Sequence, residues 1–405
     1  MTLVRPLDPA VWLLIGSACV LLMFSFGFRS SYGLFVQPIN AAHGWGRDVI
    51  GLALAIQNLA WGVVAVFAGG LADRFGNVKV IVAGALVYAG GLWLTTESDS
   101  VLMLHTSAGL MVGAGIAGTA FGIVLPAMAR AVGEERRQWA LGLGTAAGSM
   151  GQFVIAPLAQ RLIGEFGWIS ALHILAVAAL GIALLAMPLA PYSGASEVHP
   201  AHQQQSIGAA LSEAFGHRSF MLLSFGFFVC GFHVAFITVH MPAFLVDAGF
   251  DPKIGAWSIA LIGLCNVFGA LLSGYVSSRI PKAQVLIFIY TGRAIAITLF
   301  MLIPLSLTTV LLFSAVMGFL WLATIPPTSG LVAVMFGTRY MALLYGVVFL
   351  SHQVGSFSGV WLGGWLYEVH GSYDLLWWAG VALGVVAAVI HLPIQEGPVA
   401  RLRPA

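Results

Sequence analysis

The feature that most constrains this chain is the spacing of its apolar runs. Stretches of about 20 or more residues, long enough to cross a bilayer as helix, recur along nearly the whole sequence. They fall at roughly 11–37, 49–71, 78–96, 101–127, 139–160, 168–190, 219–245, 254–276, 284–304, 307–334, 341–366 and 373–394. In lipid every backbone N–H and C=O must be bonded inside the protein, so segments of this length and hydropathy are α-helices. Composition agrees. The 405 residues are 60% hydrophobic and 8% charged, against about 25% charged in soluble domains. One soluble core cannot hide that much apolar surface, so lipid is the solvent for most of the chain. The first run is too long for the core of a signal peptide, and no small-residue cleavage site follows it, so it reads as a span. Cys19, Cys230 and Cys265 each lie inside an apolar run and make neither a disulfide framework nor a metal-ligand pattern. A formal charge of +2 gives no indication of nucleic-acid binding.

Basic residues set the expected orientation. With both termini cytoplasmic, the inner side holds Arg5, Arg74, Lys79, Arg130, Arg136, Arg137, Arg218, Arg279, Lys282, Arg339, Arg401 and Arg403, and the outer side only Arg47, Arg161 and Lys253. Twelve against three follows the positive-inside rule. The longest polar stretch lies mid-chain, rich in Ser, His, Gln and Pro. It divides the sequence into residues 1–190, a cytoplasmic linker 191–218, and residues 219–405.

The two outer parts repeat. A shift of 204 residues lays "FSFGFR" (24–29) over "FVCGFH" (228–233), Pro38 over Pro242, Ile50-Gly51 over Ile254-Gly255, Gly142 over Gly346 and Gly151 over Gly355. Two parallel six-helix repeats joined by a polar linker are the layout of a transporter whose site lies between its halves. In this register Arg29 is paired with His233.

Between the second and third spans stands "GGLADRFGNVK" (69–79). Its Gly69, Asp73, Arg74, Gly76 and Lys79 resemble the loop signature of the major facilitator superfamily. The resemblance extends over nearly the whole chain and implies an all-α membrane fold of twelve helices in two pseudo-symmetric halves. It also implies that Asp73 clamps a neighbouring helix end in one conformer. The second-half counterpart, "SGYVSSRIPK", keeps Gly274 but has Ser277 at the acidic position. A narrower resemblance is to the monocarboxylate transporter and oxalate/formate antiporter branch. In "RRQWALGLGTAAGSMG" (136–151), Arg136, Arg137, Ala140, Gly142, Ala146 and Gly151 match that family's fifth helix. Asp8 and Trp12 keep part of its first-helix pattern. The membrane Asp and Arg of animal members fall here on Asn266 and Ala270, so their proton relay is not carried over. Their first-helix cation falls within about a residue of Arg29.

Buried charge is the most informative physical signal. All fifteen acids lie in loops or at span ends, while Arg29 and Arg293 lie inside spans. A charge at the bilayer centre costs about 3 kcal/mol by insertion scales, and an unpaired buried cation is costly. Arg29 therefore requires water, helix carbonyls or an anionic ligand, and its planar fork suits a carboxylate. The structural alternatives are snorkelling to the interface or bonding to a neighbouring helix. Arg293, on the usually peripheral ninth helix, reads as a brace for the second half.

His233, His240 and His352 occur at mid-span depths. His233 and His352 are candidate proton carriers, since imidazole titrates near neutrality; a hydrogen-bonded structural role is the alternative for each. His105, His173 and His391 lie near span ends and read as interfacial. Tyr32, Asn58, Asn266, Trp321 and Gln353 complete the candidate binding set with Arg29, His233 and His352. Gln57 and Thr324 stand at similar depth and could equally be packing residues. Pro326-Pro327 should break the tenth helix and free carbonyls.

The expectation is a non-enzymatic secondary transporter, monomeric in the inner (plasma) membrane with both termini cytoplasmic. It would move a small organic anion, a monocarboxylate by resemblance, with protons or a counter-anion and no cofactor. An exporter of hydrophobic compounds and a non-transporting receptor are the alternatives. An intramembrane enzyme would need paired acids, a nucleophile or a metal set on its spans, and the sequence has none.

Overall fold

Start and stop signals place the helices close to where hydropathy puts them. The computed structural model describes residues 7–192, 206–337 and 340–402, apart from the side chains of Asp73, Glu134, Gln138 and Ala342. Helix α1 (Pro9–His43) opens with Pro9 behind Asp8, whose carboxylate accepts from the Ala10 N–H at 3.0 Å. It tightens to 3₁₀ geometry at Tyr32–Phe35. Then come α2 (Arg47–Phe75), α3 (Asn77–Thr96) and α4 (Val101–Val132). The fifth and sixth spans form one continuous run, Arg137–Leu185, broken only at Gly167. Its φ of 79° and ψ of 163° are strained for any side chain, and the run divides there into α5 (137–166) and α6 (168–185).

The second half holds α7 (Arg218–Asp247), α8 (Pro252–Ser277), α9 (Lys282–Leu302), α10 (Leu307–Phe336), α11 (Met341–His370) and α12 (Asp374–His391). Asp251 and Pro252 start α8 as Asp8 and Pro9 start α1. A Ser306/Thr309 capping box starts α10. Of the expected linker, Met187–Tyr192 is 3₁₀ and Ile207–Gly216 is a short helix. Residues 193–205 lie outside the described residues, as do Arg5, Arg339 and Arg403 of the basic inventory. Among the described residues there is no strand.

The repeat is visible in the packing. A Cβ on Gly27 would meet the Gly151 carbonyl, and one on Gly151 the Met23 carbonyl, so α1 lies tightly on α5. In the second half Gly231 abuts the His352 carbonyl and Gly355 the Phe228 carbonyl, so α7 lies on α11 in the same way. Small residues allow this close approach where lipid supplies no hydrophobic drive between helices.

Two helix pairs cross between the halves. On α2, Gly51 packs against Val360 and Gly364 of α11, and Gly62 against Gln353. On α8, Gly263 packs against Ser149 and Gln152 of α5. The end of the molecule away from the termini, here the distal end, is closed. There Gly33 of α1 abuts the Thr238 and Val239 carbonyls of α7. At the terminal end, the lower parts of α4 (Phe121–Val132) and α10 (Ile325–Phe336) pack within their own halves.

Candidate functional site

Arg29 faces the seam between the halves. Its Nη1 donates to Asn58 Oδ1 at 3.2 Å, and its guanidinium lies 5.1 Å from the Trp61 ring centroid. Both partners sit on α2, three residues apart and so on one helical face. Asn58 Nδ2 is already committed to the Leu54 carbonyl at 2.8 Å, which fixes Oδ1 as the acceptor toward Arg29. Arg29 Nε is buried without a partner, and Nη2 makes no bond to another residue. Among the described residues no carboxylate pairs with the group. One neutral hydrogen bond and one cation–π contact are a thin shell for a membrane cation. Arg29, Phe26, Phe121 and Phe349 are only half-buried although they stand inside the bundle. The seam is therefore not fully packed at this level.

Arg293 is held by backbone carbonyls instead, although its Nη1, like Arg29 Nε, is buried without a partner. It is fully buried, and its Nε and Nη2 donate to the Leu320 carbonyl at 3.1 and 2.7 Å. Nη2 also bonds to the Trp321 carbonyl and contacts Cys230 Sγ at 3.6 Å. Leu320 and Trp321 stand where α10 breaks, between its segments Leu307–Leu320 and Ile325–Phe336. The break leaves those carbonyls without donors from the helix itself, and Arg293 takes them up. Asn266 Oδ1 accepts from the Leu322 N–H at 2.9 Å, and Ser273 Oγ bonds to the Ala323 carbonyl. The broken turn is thus saturated by side chains from α8 and α9. Arg293 thereby ties α9 to the break in α10.

The other candidates divide. Gln353 is fully buried at the seam against Gly62, the neighbour of Trp61, with Nε2 unpartnered and Oε1 3.0 Å from His352 Nδ1. His352 is buried beside the rings of Phe227 and Phe349, at 4.9 and 5.8 Å. Asn266 bridges the halves by donating to Ser149 Oγ of α5 at 2.8 Å. Trp321 is buried at the α10 break, and Thr324 bonds Cys230 Sγ at 3.2 Å.

Three placements correct the expectation. His233 does not share the seam with Arg29. It is fully buried against α12, with Nε2 2.7 Å from the Gly380 carbonyl, because its part of α7 is wrapped by α12 where Arg29 has open seam. Tyr32 turns into the first half and meets Thr95 Oγ1 of α3 at 3.3 Å, because the 3₁₀ turn rotates it off the Arg29 face. His391 is buried, not interfacial, and stacks 5.1 Å from Tyr290. His240 is bonded to the Val360 carbonyl at 2.8 Å and Gln57 to the Ala108 carbonyl at 2.9 Å, both as packing contacts.

In the signature loop, Gly76 ends α2 at φ 92°, a conformation that favours glycine. Arg74 and Lys79 are exposed, and an added Cβ on Gly69 would meet nothing within 4 Å. The Asp73 side chain lies outside the described residues. No ion pair involves Arg74 or Lys79 among the described residues.

The distal end carries a cluster that sequence reasoning missed. Arg47, at the start of α2, forms a forked pair with Asp247 at the end of α7, at 2.5 and 2.7 Å. It also donates to Tyr373 Oη at 3.0 Å and lies 3.8 Å over the Tyr367 ring. Its backbone N–H donates to Glu368 Oε1 at 2.6 Å, and Gln37 Nε2 donates to Asp247 at 3.2 Å. These contacts tie α1 and α2 to α7 and α11. The only sequence trace was Arg47's isolation on the poorly basic side of the chain.

Two six-helix repeats meeting along a seam, closed at one end and lined at mid-depth by an uncompensated cation, define a membrane transporter. The sequence profile described as Major Facilitator Superfamily matches residues 18–359, and the chain belongs to that superfamily. It is an integral, multi-pass membrane protein that carries a small-molecule substrate. It is 24% identical over 374 residues to the uncharacterized MFS-type transporter YcxA of Bacillus subtilis (strain 168), covering 90% of each chain. It is 25% identical over 378 residues to monocarboxylate transporter 13 of Rattus norvegicus, covering 89% of this chain and 83% of that one. A bacterial homologue of the human lysosomal transporter Spinster, solved inward-facing and unoccupied, shares the fold with a TM-score of 0.76 at 14% identity, over 95% of this chain and 97% of that chain.

Proposed function

We propose that this protein is a secondary active transporter of a small organic anion, a monocarboxylate, working by alternating access. The observation that carries the reading is Arg29, a half-buried seam cation with no acid partner among the described residues and unused donors at Nε and Nη2. A carboxylate supplies the missing charge and accepts two bonds from one guanidinium. Gln353 Nε2, buried and unpartnered on the facing half, is a second donor that could close on the same ligand. The similarity to monocarboxylate transporter 13 supports the substrate class. His352 is the proposed proton carrier, since it bonds Gln353, which meets the facing half at Gly62, while His233 is committed to α12. The basic residues support cytoplasmic termini in an inner (plasma) membrane.

The test is uptake of labelled carboxylates into proteoliposomes, with affinity measured on the purified protein. Arg29→Gln should weaken carboxylate binding by roughly ten- to a hundredfold, the equivalent of about 1.5–3 kcal/mol. Arg29→Lys, which keeps the charge but loses the fork, should fall between. Wild-type affinity in a stably folded Arg29→Gln protein would refute the anchor. In the same vesicles, His352→Gln should lose accumulation driven by a pH gradient and keep exchange; unimpaired accumulation would place the proton elsewhere. Aromatic rings around the seam favour one second reading, an exporter of uncharged hydrophobic compounds. That reading expects Arg29→Gln to leave binding intact.

A further inference from the structure

The surroundings of Arg29 also bear on the rest of the ligand, given the anion reading above. Just toward the terminal end from its guanidinium, about 4.5 Å along α1 for three residues, a chain of rings crosses the seam. Phe121 of α4 stacks on Phe26 of α1 at 4.1 Å, Phe26 meets Trp61 of α2 edge-on at 5.8 Å, and Trp61 meets Phe349 of α11 edge-on at 5.3 Å. The chain spans both halves, and Trp61 is also the ring beneath Arg29. Phe26, Phe121 and Phe349 keep part of their surface open although they are interior.

Most polar groups nearby are already used, although the Gln152 amide of α5, packed at the seam against Gly263, makes no bond to another described residue. Asn58 is bonded to Arg29 and Leu54, Asn266 to Ser149 and Leu322, and Thr324 to Cys230. Arg29 and Gln353 hold unspent donors, and those suit one carboxylate. A hydroxylated or sugar-like body would lose its water and gain few partners, which is unfavourable. A second carboxylate would find no second cation, because Arg293 is sealed against the α10 carbonyls. Aromatic walls instead favour a ring, through apolar burial and edge or stacked contacts.

We infer that the transported anion has a single carboxylate on an aromatic or comparably bulky apolar body. The test measures binding of acetate, lactate, phenylacetate, terephthalate and uncharged phenylacetamide to the purified full chain. Phenylacetate should bind at least tenfold more tightly than acetate, lactate or phenylacetamide, and at least threefold more tightly than terephthalate. Trp61→Leu and Phe349→Leu should each lower the phenylacetate-to-acetate preference at least threefold. Acetate or lactate binding as tightly as phenylacetate, or a preference unchanged in both variants, would overturn the inference and leave the anion reading standing. Phenylacetamide matching phenylacetate would overturn the anion reading itself.

Discussion

The distal cluster makes a quantitative prediction. Asp247→Asn keeps the side-chain shape and removes the charge that Arg47 holds in a fork. The Arg47 side chain is 10% exposed and that of Asp247 30% exposed, so the pair lies between two regimes. Exposed pairs contribute up to about 1 kcal/mol, whereas breaking a fully buried pair costs about 3–5 kcal/mol. The cross-half bond should therefore lose about 2 kcal/mol, because Arg47 retains Tyr373 and the Tyr367 ring. If the contact exists only when the distal end is closed, the ratio of distal-closed to distal-open molecules falls by roughly 30-fold. Spin labels on cysteines placed at the exposed positions Ala41 and Ala248 would report this by pulsed dipolar spectroscopy. The longer-distance population should grow in Asp247→Asn and in Arg47→Gln. The double variant should add little to either single change, since one interaction has been removed twice. Unchanged distance distributions, or additive effects of the two substitutions, would refute the cluster as a latch.

Three further outcomes are expected. Arg293→Gln should clearly lower the melting temperature, because buried carbonyls at Leu320 and Trp321 lose their donor at about 1–3 kcal/mol each; an unchanged melting temperature would contradict the brace. Asp73→Asn should slow transport while leaving the protein inserted, as expected of a helix-end clamp made in one conformer. Stopped-flow uptake at the wild-type rate would remove that role. A single cysteine at Ser196 should stay unlabelled by an impermeant maleimide on intact cells, and labelling from outside would invert the proposed topology.

The sequence alone determined the helices, because spans in lipid are dictated by length and apolarity. It determined the repeat, whose paired glycines Gly151 and Gly355 make matching contacts in the two halves. It located the break in α10, since two prolines must interrupt a helix, and it isolated Arg29 and Arg293 as the interior cations. The tertiary structure decided which way each side chain faces. A span is apolar all round whether it meets lipid or another helix, so no hydropathy stripe distinguishes seam from packed interior. His233 could thus share Arg29's place in the repeat and still be enclosed by α12. Tyr32, one turn from Arg29, could be turned inward by a 3₁₀ segment. The partnership of Arg47 with Asp247 spans 200 positions and leaves no local pattern. Two loop charges become a cross-half contact only where the ends of α2 and α7 meet.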